Sequence, residues 1–392
     1  MPVDTMNKLK MNKLNNLFFR KLFFRYFSLL FLLVSFNVFA AQTQSFLTLA
    51  DIHFDPFLSC HSQPCPVIET LRHLPATEWQ SVLQTAQQGF KQQYWQDTSY
   101  PLLHASLDNA KQIAEKEHVK SVLVLGDFIA HEFKSRYRKF STDKHLKNYS
   151  DFVDKTMMFL TNELHATFPS LDIYMVVGNN DSSQNNYVTV PGGIFFKKTA
   201  VTWSSLIHEK SNQDVMKQAF SSCGYYALDL PGESLRLIVL NTNLFSYKGK
   251  GRNLSSAAET EFAWLKYELS LAKAHHQPVM IAMHIPPTID VYLLSSIKLF
   301  TYMHLWKQIY IKQFQALLDE YSTEIMAIYA GHLHSDWIHY LSVGQNKLIM
   351  SGTTSISPVF GNHPGFKVYY YSPETNQFVG STSYVLSLSG RM

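Results

Sequence analysis

Cysteine is scarce in this 392-residue chain: Cys60, Cys65 and Cys223 are too few for a disulfide-built scaffold. Glycine (16) and proline (15) are thin and nowhere join serine in a linker, so nothing divides the chain into separate domains. There is no internal repeat and no low-complexity stretch. Charged residues make up 16% against 46% hydrophobic, which excludes the disordered and fibrous classes and supplies apolar side chain for a large core. Long hydrophobic runs are missing too. Residues 27–39 form an apolar run of 13, short of the roughly 20 that span a bilayer as a helix, and no later run reaches 18.

That run follows Lys8, Lys10, Lys13, Arg20, Lys21 and Arg25 and precedes Ala40-Ala41-Gln42. A basic start, a short apolar stretch and a small-x-small end predict a secretory signal peptide over residues 1–40. Residues 41–392 are then expected to be a single catalytic domain, exported to a periplasm or secreted, with no membrane anchor after cleavage. The chain's net charge of +4 belongs to this leader, since 28 basic and 29 acidic side chains remain beyond residue 40. Cys60 and Cys65 suit a local disulfide in an oxidising compartment, with a zinc knuckle including His61 as the sharper alternative. Cys223 reads as a buried free thiol.

Apolar runs rich in β-branched residues at 46–50, 121–125, 173–177, 235–240, 279–283, 325–329 and 347–350 predict buried strands. Residues 102–117, 151–165, 259–275 and 306–321 carry apolar side chains at helical spacing, and 366–371 with 378–384 alternate like an antiparallel hairpin. Alternating strands and helices predict a layered α/β fold.

Five of these strands end in polar motifs: Asp51-Ile52-His53, Gly126-Asp127, Gly178-Asn179-Asn180-Asp181, His284 and Gly331-His332-Leu333-His334. Each alone is ordinary turn or capping chemistry. Together they bring seven oxygen or nitrogen donors to the carboxyl edge of the sheets, where α/β folds bind ligands. Carboxylate, imidazole and amide donors without thiolate suit Zn, Fe or Mn. Two such ions about 3.5–4 Å apart can clamp the attacking and leaving oxygens of an in-line displacement and acidify a bridging water.

In this order the motifs resemble the calcineurin-like metallophosphoesterases, whose signature runs Asp-x-His, Gly-Asp, Gly-Asn-His-Asp/Glu, His and Gly-His-x-His. Asp51-Ile52-His53-Phe54-Asp55-Pro56 with cysteines close behind is similar to the acid sphingomyelinase-like phosphodiesterase branch. So are His131 four residues beyond Asp127, Leu240-Asn241-Thr242-Asn243, and Asn362-His363-Pro364-Gly365-Phe366. The resemblance implies a four-layer α/β/β/α sandwich. It implies two divalent ions, usually zinc in exported members with Mn or Fe as alternatives. Asp51, His53 and His334 would hold the first, Asn179, His284 and His332 the second, and Asp127 would bridge them. The implied reaction is hydrolysis of a phosphodiester or phosphoanhydride bond by attack of a metal-bridged hydroxide.

One position departs from the signature. Asn180 stands where most members have a His that contacts the phosphate, and an amide can donate a hydrogen bond there but cannot transfer a proton. The resemblance offers His131 as the general acid instead. Gly-Asn-Asn-Asp also looks like related endopolyphosphatases, so polyphosphate is an alternative substrate, and a metal-stabilised binding protein with weakened turnover is a second alternative. Gly361-Asn362-His363 imitates the missing motif but is out of order and is read as a late loop. The basic run at 134–147 suggests a rim for a small anionic phosphoester or for polyphosphate. No stable nucleic-acid complex is expected. Sphingomyelin is disfavoured, because only eleven residues separate Asp51 from the expected cleavage point and leave no room for a preceding lipid-binding domain.

Overall fold

The computed structural model describes residues 43–289, 304–344 and 346–388; the leader expected at 1–40 lies outside them. The chain runs through β1 (Gln44–Leu49), α1 (Pro66–His73), α2 (Trp79–Ala86), α3 (Tyr100–Lys116), β2 (Ser121–Val124), α4 (Phe133–Phe140), α5 (Leu146–Thr167) and β3 (Asp172–Met175). Then come α6 (Ile194–Ser204), α7 (Lys210–Cys223), β4 (Tyr226–Asp229), β5 (Arg236–Val239), α8 (Leu254–Ala274) and β6 (Val279–Met283). The last part holds α9 (Gln308–Tyr321), β7 (Ile325–Ala330), β8 (Trp337–Val343), β9 (Asn346–Gly352), β10 (Gly365–Ser372) and β11 (Gln377–Val385).

Two mixed sheets result, of order β11-β10-β1-β2-β3 and β4-β5-β6-β7-β9-β8. The central strands β1, β2 and β3 are parallel, as are β5, β6, β7 and β9, and they are the continuous apolar runs that a sheet covered on both faces requires. The sheets face each other through an aromatic seam. Phe46 of β1 meets Tyr329 of β7 at 5.0 Å and stacks on Tyr369 of β10 at 5.3 Å. Behind it, the buried Lys367 of β10 donates to Asp336 at 2.6 Å and to Ser351 of β9 at 3.2 Å, tying one sheet to the other.

Helices cover the outer faces. In α8 the buried Leu254, Ala258, Phe262, Leu265, Leu269 and Ala272 form one stripe at three- and four-residue spacing, and each large apolar side chain contributes about 2 kcal/mol on burial. On the other side, α5 presents Phe152 and Phe159 to Trp79 at 5.2 and 5.8 Å. Among the described residues no helix is long and apolar enough to cross a membrane.

Every strand and helix expected from periodicity is present, and the structure adds the short helices α1, α2 and α4, the helices α6 and α7, and the strands β4 and β8. Strand β8 lies at a sheet edge with most of its side chains exposed, so it has no apolar run to betray it. Helix α4 (FKSRYRKF) buries only Phe133 and Tyr137, one turn apart. It occupies part of the basic run at 134–147, in which Arg138, Lys139, Lys144 and Lys147 are exposed. Arg136 pairs with buried Asp55, Lys134 lies over the Tyr149 ring, Lys139 lies over Phe140, and Lys144 donates to the Arg138 and Ser141 carbonyls.

Cys60 and Cys65 are disulfide-bonded just before α1, which removes the zinc-knuckle alternative, and Cys223 is a buried free thiol whose pKa is pushed up by burial. Native protein treated with iodoacetamide should leave Cys223 unmodified until denaturant is added, and mapping should return one Cys60–Cys65 peptide. Rapid labelling of any cysteine in the native state would contradict this packing.

Candidate metal centre

The loops that leave β1, β2, β6 and β7 are hydrogen-bonded to one another before any side chain is considered. Asp51 N–H donates to the Gly126 carbonyl at 3.0 Å, His53 N–H to Asp127 O at 2.9 Å, and Gly331 N–H to His284 O at 3.1 Å. Asp51, His53, Asp127, His332 and His334 all take left-handed backbone conformations, with φ between 43° and 70°. L-residues populate that region at a cost of order 1–2 kcal/mol each, and such strain gathers where the surroundings over-determine it. Asp-x-His and His-x-His use the same device. The intervening Ile52 and Leu333 are buried in the core, and the flanking side chains turn to the site.

Three side-chain groups converge within ligand range: Asp51, His53 and His334; Asp127, His284 and His332; and His53, Asp97 and His131. In the first, His53 Nδ1–H faces the Ile129 carbonyl at 3.1 Å, which leaves Nε2 as a lone pair 3.2 Å from His334 Nε2, with Asp51 Oδ1 3.5 Å from His334 Nε2. In the second, His284 Nδ1–H donates to Leu125 O at 2.7 Å. Its Nε2 then faces Asn179 Oδ1 at 3.0 Å, Asp127 Oδ2 at 3.3 Å and His332 Nδ1 at 3.3 Å. Backbone carbonyls holding the far ring nitrogen are the usual support for a ligating histidine. Asp127 Oδ2 also lies 3.4 Å from His53 Nε2 and so stands between the two groups.

The protein groups alone compensate this set poorly. Burial pushes the Asp51 carboxyl up to about 8 and, with the nearby His131, pulls His53 down to about 4. Burial opposes ionisation of Asp127, but His284 and His53 outweigh it and hold the carboxyl well below its usual range. Burial likewise opposes a charge on His284, and Asp127 overrides it, raising the imidazole to about 9. A proton on His284 Nε2 satisfies one of the acceptors it faces; a divalent cation at their common point satisfies all of them. The residues present therefore fit a metal pair, with Asp51, His53, His334, Asn179, His284 and His332 around Asp127.

Asp181 is the buried support. Its carboxylate accepts from the N–H groups of Phe128 and Gly178, both at 2.7 Å, and of Asp127 at 3.0 Å, pinning two strand-end loops together. Asn243 adds Nδ2–H to the Gly178 carbonyl at 2.9 Å. Asn180 donates its backbone N–H to Asp127 Oδ1 at 2.7 Å and its amide to Asp127 Oδ2 at 2.8 Å. Its place in the sequence was legible; the direction of its side chain was not.

His131 stacks on His53 at 4.1 Å, and its Nδ1–H and backbone N–H both donate to Asp97, each at 2.9 Å. Burial disfavours the charged ring, but Asp97 outweighs it and the His131 pKa is raised, while His131 holds Asp97 below the usual carboxylate range against its own burial. Sequence reading missed Asp97, which lies in no motif. It arrives because Phe54, just past β1, bridges to both Thr98 and Ile129 and so sets the 97–98 and 129–131 segments side by side. A cleft of about 260 Å³ opens over the centre between His131, Asn186, Tyr187, Lys248 and Phe360.

A family model described as calcineurin-like phosphoesterase matches residues 44–336. An acid sphingomyelinase-like phosphodiesterase 3b of Mus musculus is 24% identical over 373 residues, 92% of this chain and 74% of the relative. A sphingomyelinase phosphodiesterase D of Dictyostelium discoideum is 28% identical over 59% of this chain and 52% of its own length. A cyclic GMP-AMP phosphodiesterase of Homo sapiens is 25% identical over 61% and 52%. The chain thus spans about half the length of these last two. Among solved structures, a dimetal phosphatase from Danio rerio superposes with a TM-score of 0.50 at 14% identity, covering 88% of this chain and 99% of that one, and shares the fold.

A Cβ on Gly178 would overlap Asp127 N and Oδ1, whereas one on Gly380 of β11 meets nothing within 4 Å. Gly178→Ala should therefore weaken metal retention by roughly ten- to a hundredfold, the usual effect of disturbing a ligand's support, and Gly380→Ala should retain metal as the parent does. Metal content after desalting, with circular dichroism to check folding, distinguishes the two. Equal retention would show that the loop does not depend on the close approach.

Proposed function

Because this chain belongs to the calcineurin-like phosphoesterases, we propose that it is an exported hydrolase of phosphodiester bonds in small anionic molecules, working with two divalent ions. That it is a metal-dependent phosphoester hydrolase follows from the family; the diester, the ion pair and export are the finer reading. The observation that carries it is the convergence of buried acceptors on two common points astride Asp127, with an Asp97-held imidazole alongside.

When bound, the ions supply Lewis acidity and a nucleophilic water at neutral pH. The chain's residues supply the rest. Asp51, His53 and His334 would hold one ion and Asn179, His284 and His332 the other. Asn180 fixes the orientation of the Asp127 carboxylate between them. Hydrolysis forms one P–O bond to the water oxygen and breaks the P–O bond to the leaving alcohol, whose oxygen needs a proton. His131 is the side chain to give it: Asp97 anchors Nδ1 and leaves Nε2 for the cleft, and Asp97 favours the charged ring against its burial. Zinc, manganese and iron all suit the nitrogen and oxygen donors.

A diester is favoured by the relatives named as phosphodiesterases. For the polyphosphate alternative, the basic run at 134–147 keeps four exposed cations, Arg138, Lys139, Lys144 and Lys147, with Arg136 turned to buried Asp55. For export, the supports are the leader-like residues 1–40 and the Cys60–Cys65 disulfide, which persists in oxidising compartments. We read residues 41–392 as one catalytic domain.

Metal-loaded protein should be assayed on nucleotide diesters, nucleoside triphosphates, polyphosphate and sphingomyelin, with release from a diester as the expected result. Polyphosphate shortening with diesters left intact would overturn the substrate class. Asp127→Asn should abolish turnover and the retention of two ions per chain; a variant keeping both would sink the bridging role. His131→Ala should lose about 10²–10⁴-fold on diesters with poor alkyl leaving groups and far less on activated aryl esters, and equal losses would remove it as the acid.

A further inference from the structure

His131 is a wall between two clefts. On one side lies the metal centre. On the other is a second hollow of about 270 Å³, lined by Leu58, Trp95, Val359, Arg136 and the acidic Asp97 and Glu132, with His131 itself as the wall. Trp95 is 72% exposed, yet it is firmly placed. Its backbone is left-handed, its N–H donates to the Pro358 carbonyl at 3.0 Å, and its ring packs so closely on Gly361 that a Cβ there would come within 2.6 Å of the indole. Neighbouring bonds brace the same two loops: Tyr94 Oη meets His363 Nδ1 at 2.8 Å and Ser357 Oγ meets Asp97 Oδ1 at 3.3 Å. Among the described residues, an indole held this way keeps one face in water.

The charges around it narrow the occupant. Arg136 is answered by buried Asp55 and Asp97 by His131, and Glu132 adds a carboxylate, so among the described residues the hollow offers no uncompensated cation for a second phosphate. A flat group that stacks on an indole and carries no negative charge fits it. On the diesterase reading the departing oxygen would meet His131, and the hollow on the other side of that ring is the adjoining space for the rest of the leaving group.

We propose that the hollow is the leaving-group subsite and that Trp95 is the platform on which a nucleobase of the departing nucleoside stacks. The placement of the scissile bond rests on the diesterase reading above; the stacking does not.

The test uses the full folded chain with 15N-labelled indoles, the Trp95 signal being assigned from Trp95→Phe. Adenosine should shift the Trp95 resonance and leave those of the buried Trp79, Trp203 and Trp306 in place, and ribose 5-phosphate should shift none. In the metal-loaded enzyme, Trp95→Ala should lower the preference for a diester with a nucleoside leaving group over its abasic counterpart by about tenfold, the loss carried by one base–aromatic stack. Trp95→Phe should restore most of it. An unmoved Trp95 signal, or an unchanged preference in Trp95→Ala, overturns the proposal. So does a shift with choline but not adenosine, which would assign the indole and the nearby Glu132 carboxylate to a cation. If the parent protein cleaves neither diester, the hydrolase reading fails while the adenosine titration still decides the subsite.

Discussion

Buried acceptors that point at one another repel, and the architecture at the carboxyl ends of these strands is organised around that fact. His284 Nε2 faces an amide oxygen, a carboxylate and another imidazole within 3.3 Å, and His53 and His334 face each other at 3.2 Å. Such a set persists only if positive charge sits among the groups and the surrounding backbone forbids them to swing away. The left-handed residues, the backbone N–H groups spent on Asp51 and Asp181, and the close contact of Gly178 with Asp127 all serve the second condition.

The two kinds of ring support differ. Backbone carbonyls of Leu125 and Ile129 fix the rings of His284 and His53, while the Asn243 amide and the Asp181 carboxylate hold the loops beneath them. His131 is instead fixed by the Asp97 carboxylate. A ring fixed by a carbonyl keeps its other nitrogen as a lone pair, whereas a carboxylate partner favours the charged ring, so the stacked His53 and His131, 4.1 Å apart, are held in different states.

What the sequence disclosed depended on whether the information was local. Strand ends carrying Asp51, His53, Asp127, Asn179, His284, His332 and His334 could be read in order, because a buried apolar run followed by a polar turn is a contiguous signal. Asp97 could not, since its approach to His131 arises from the two bridges made by Phe54. The run at 134–147 was plain in composition, but the partnering of its charges was not: Arg136 meets buried Asp55, while Arg138, Lys139, Lys144 and Lys147 stay exposed on and beyond helix α4. Asn180 shows the same limit at atomic scale, since nothing in Gly-Asn-Asn-Asp says that its amide should lie on Asp127.

Each ligand group draws from both sheets. Asp51 and His53 follow β1 while their partner His334 follows β7; Asp127 and Asn179 follow β2 and β3 while His284 and His332 follow β6 and β7. An ion held in either group is therefore a rivet through the sandwich as well as a reagent, closing a loop of nearly the whole described chain. Its affinity is then bound by mass action to the resistance of the two sheets to parting. For this architecture, ions bound at those two points would brace the seam, and a protease or chaperone meeting the protein before it had acquired them would sense their absence as mechanical slack.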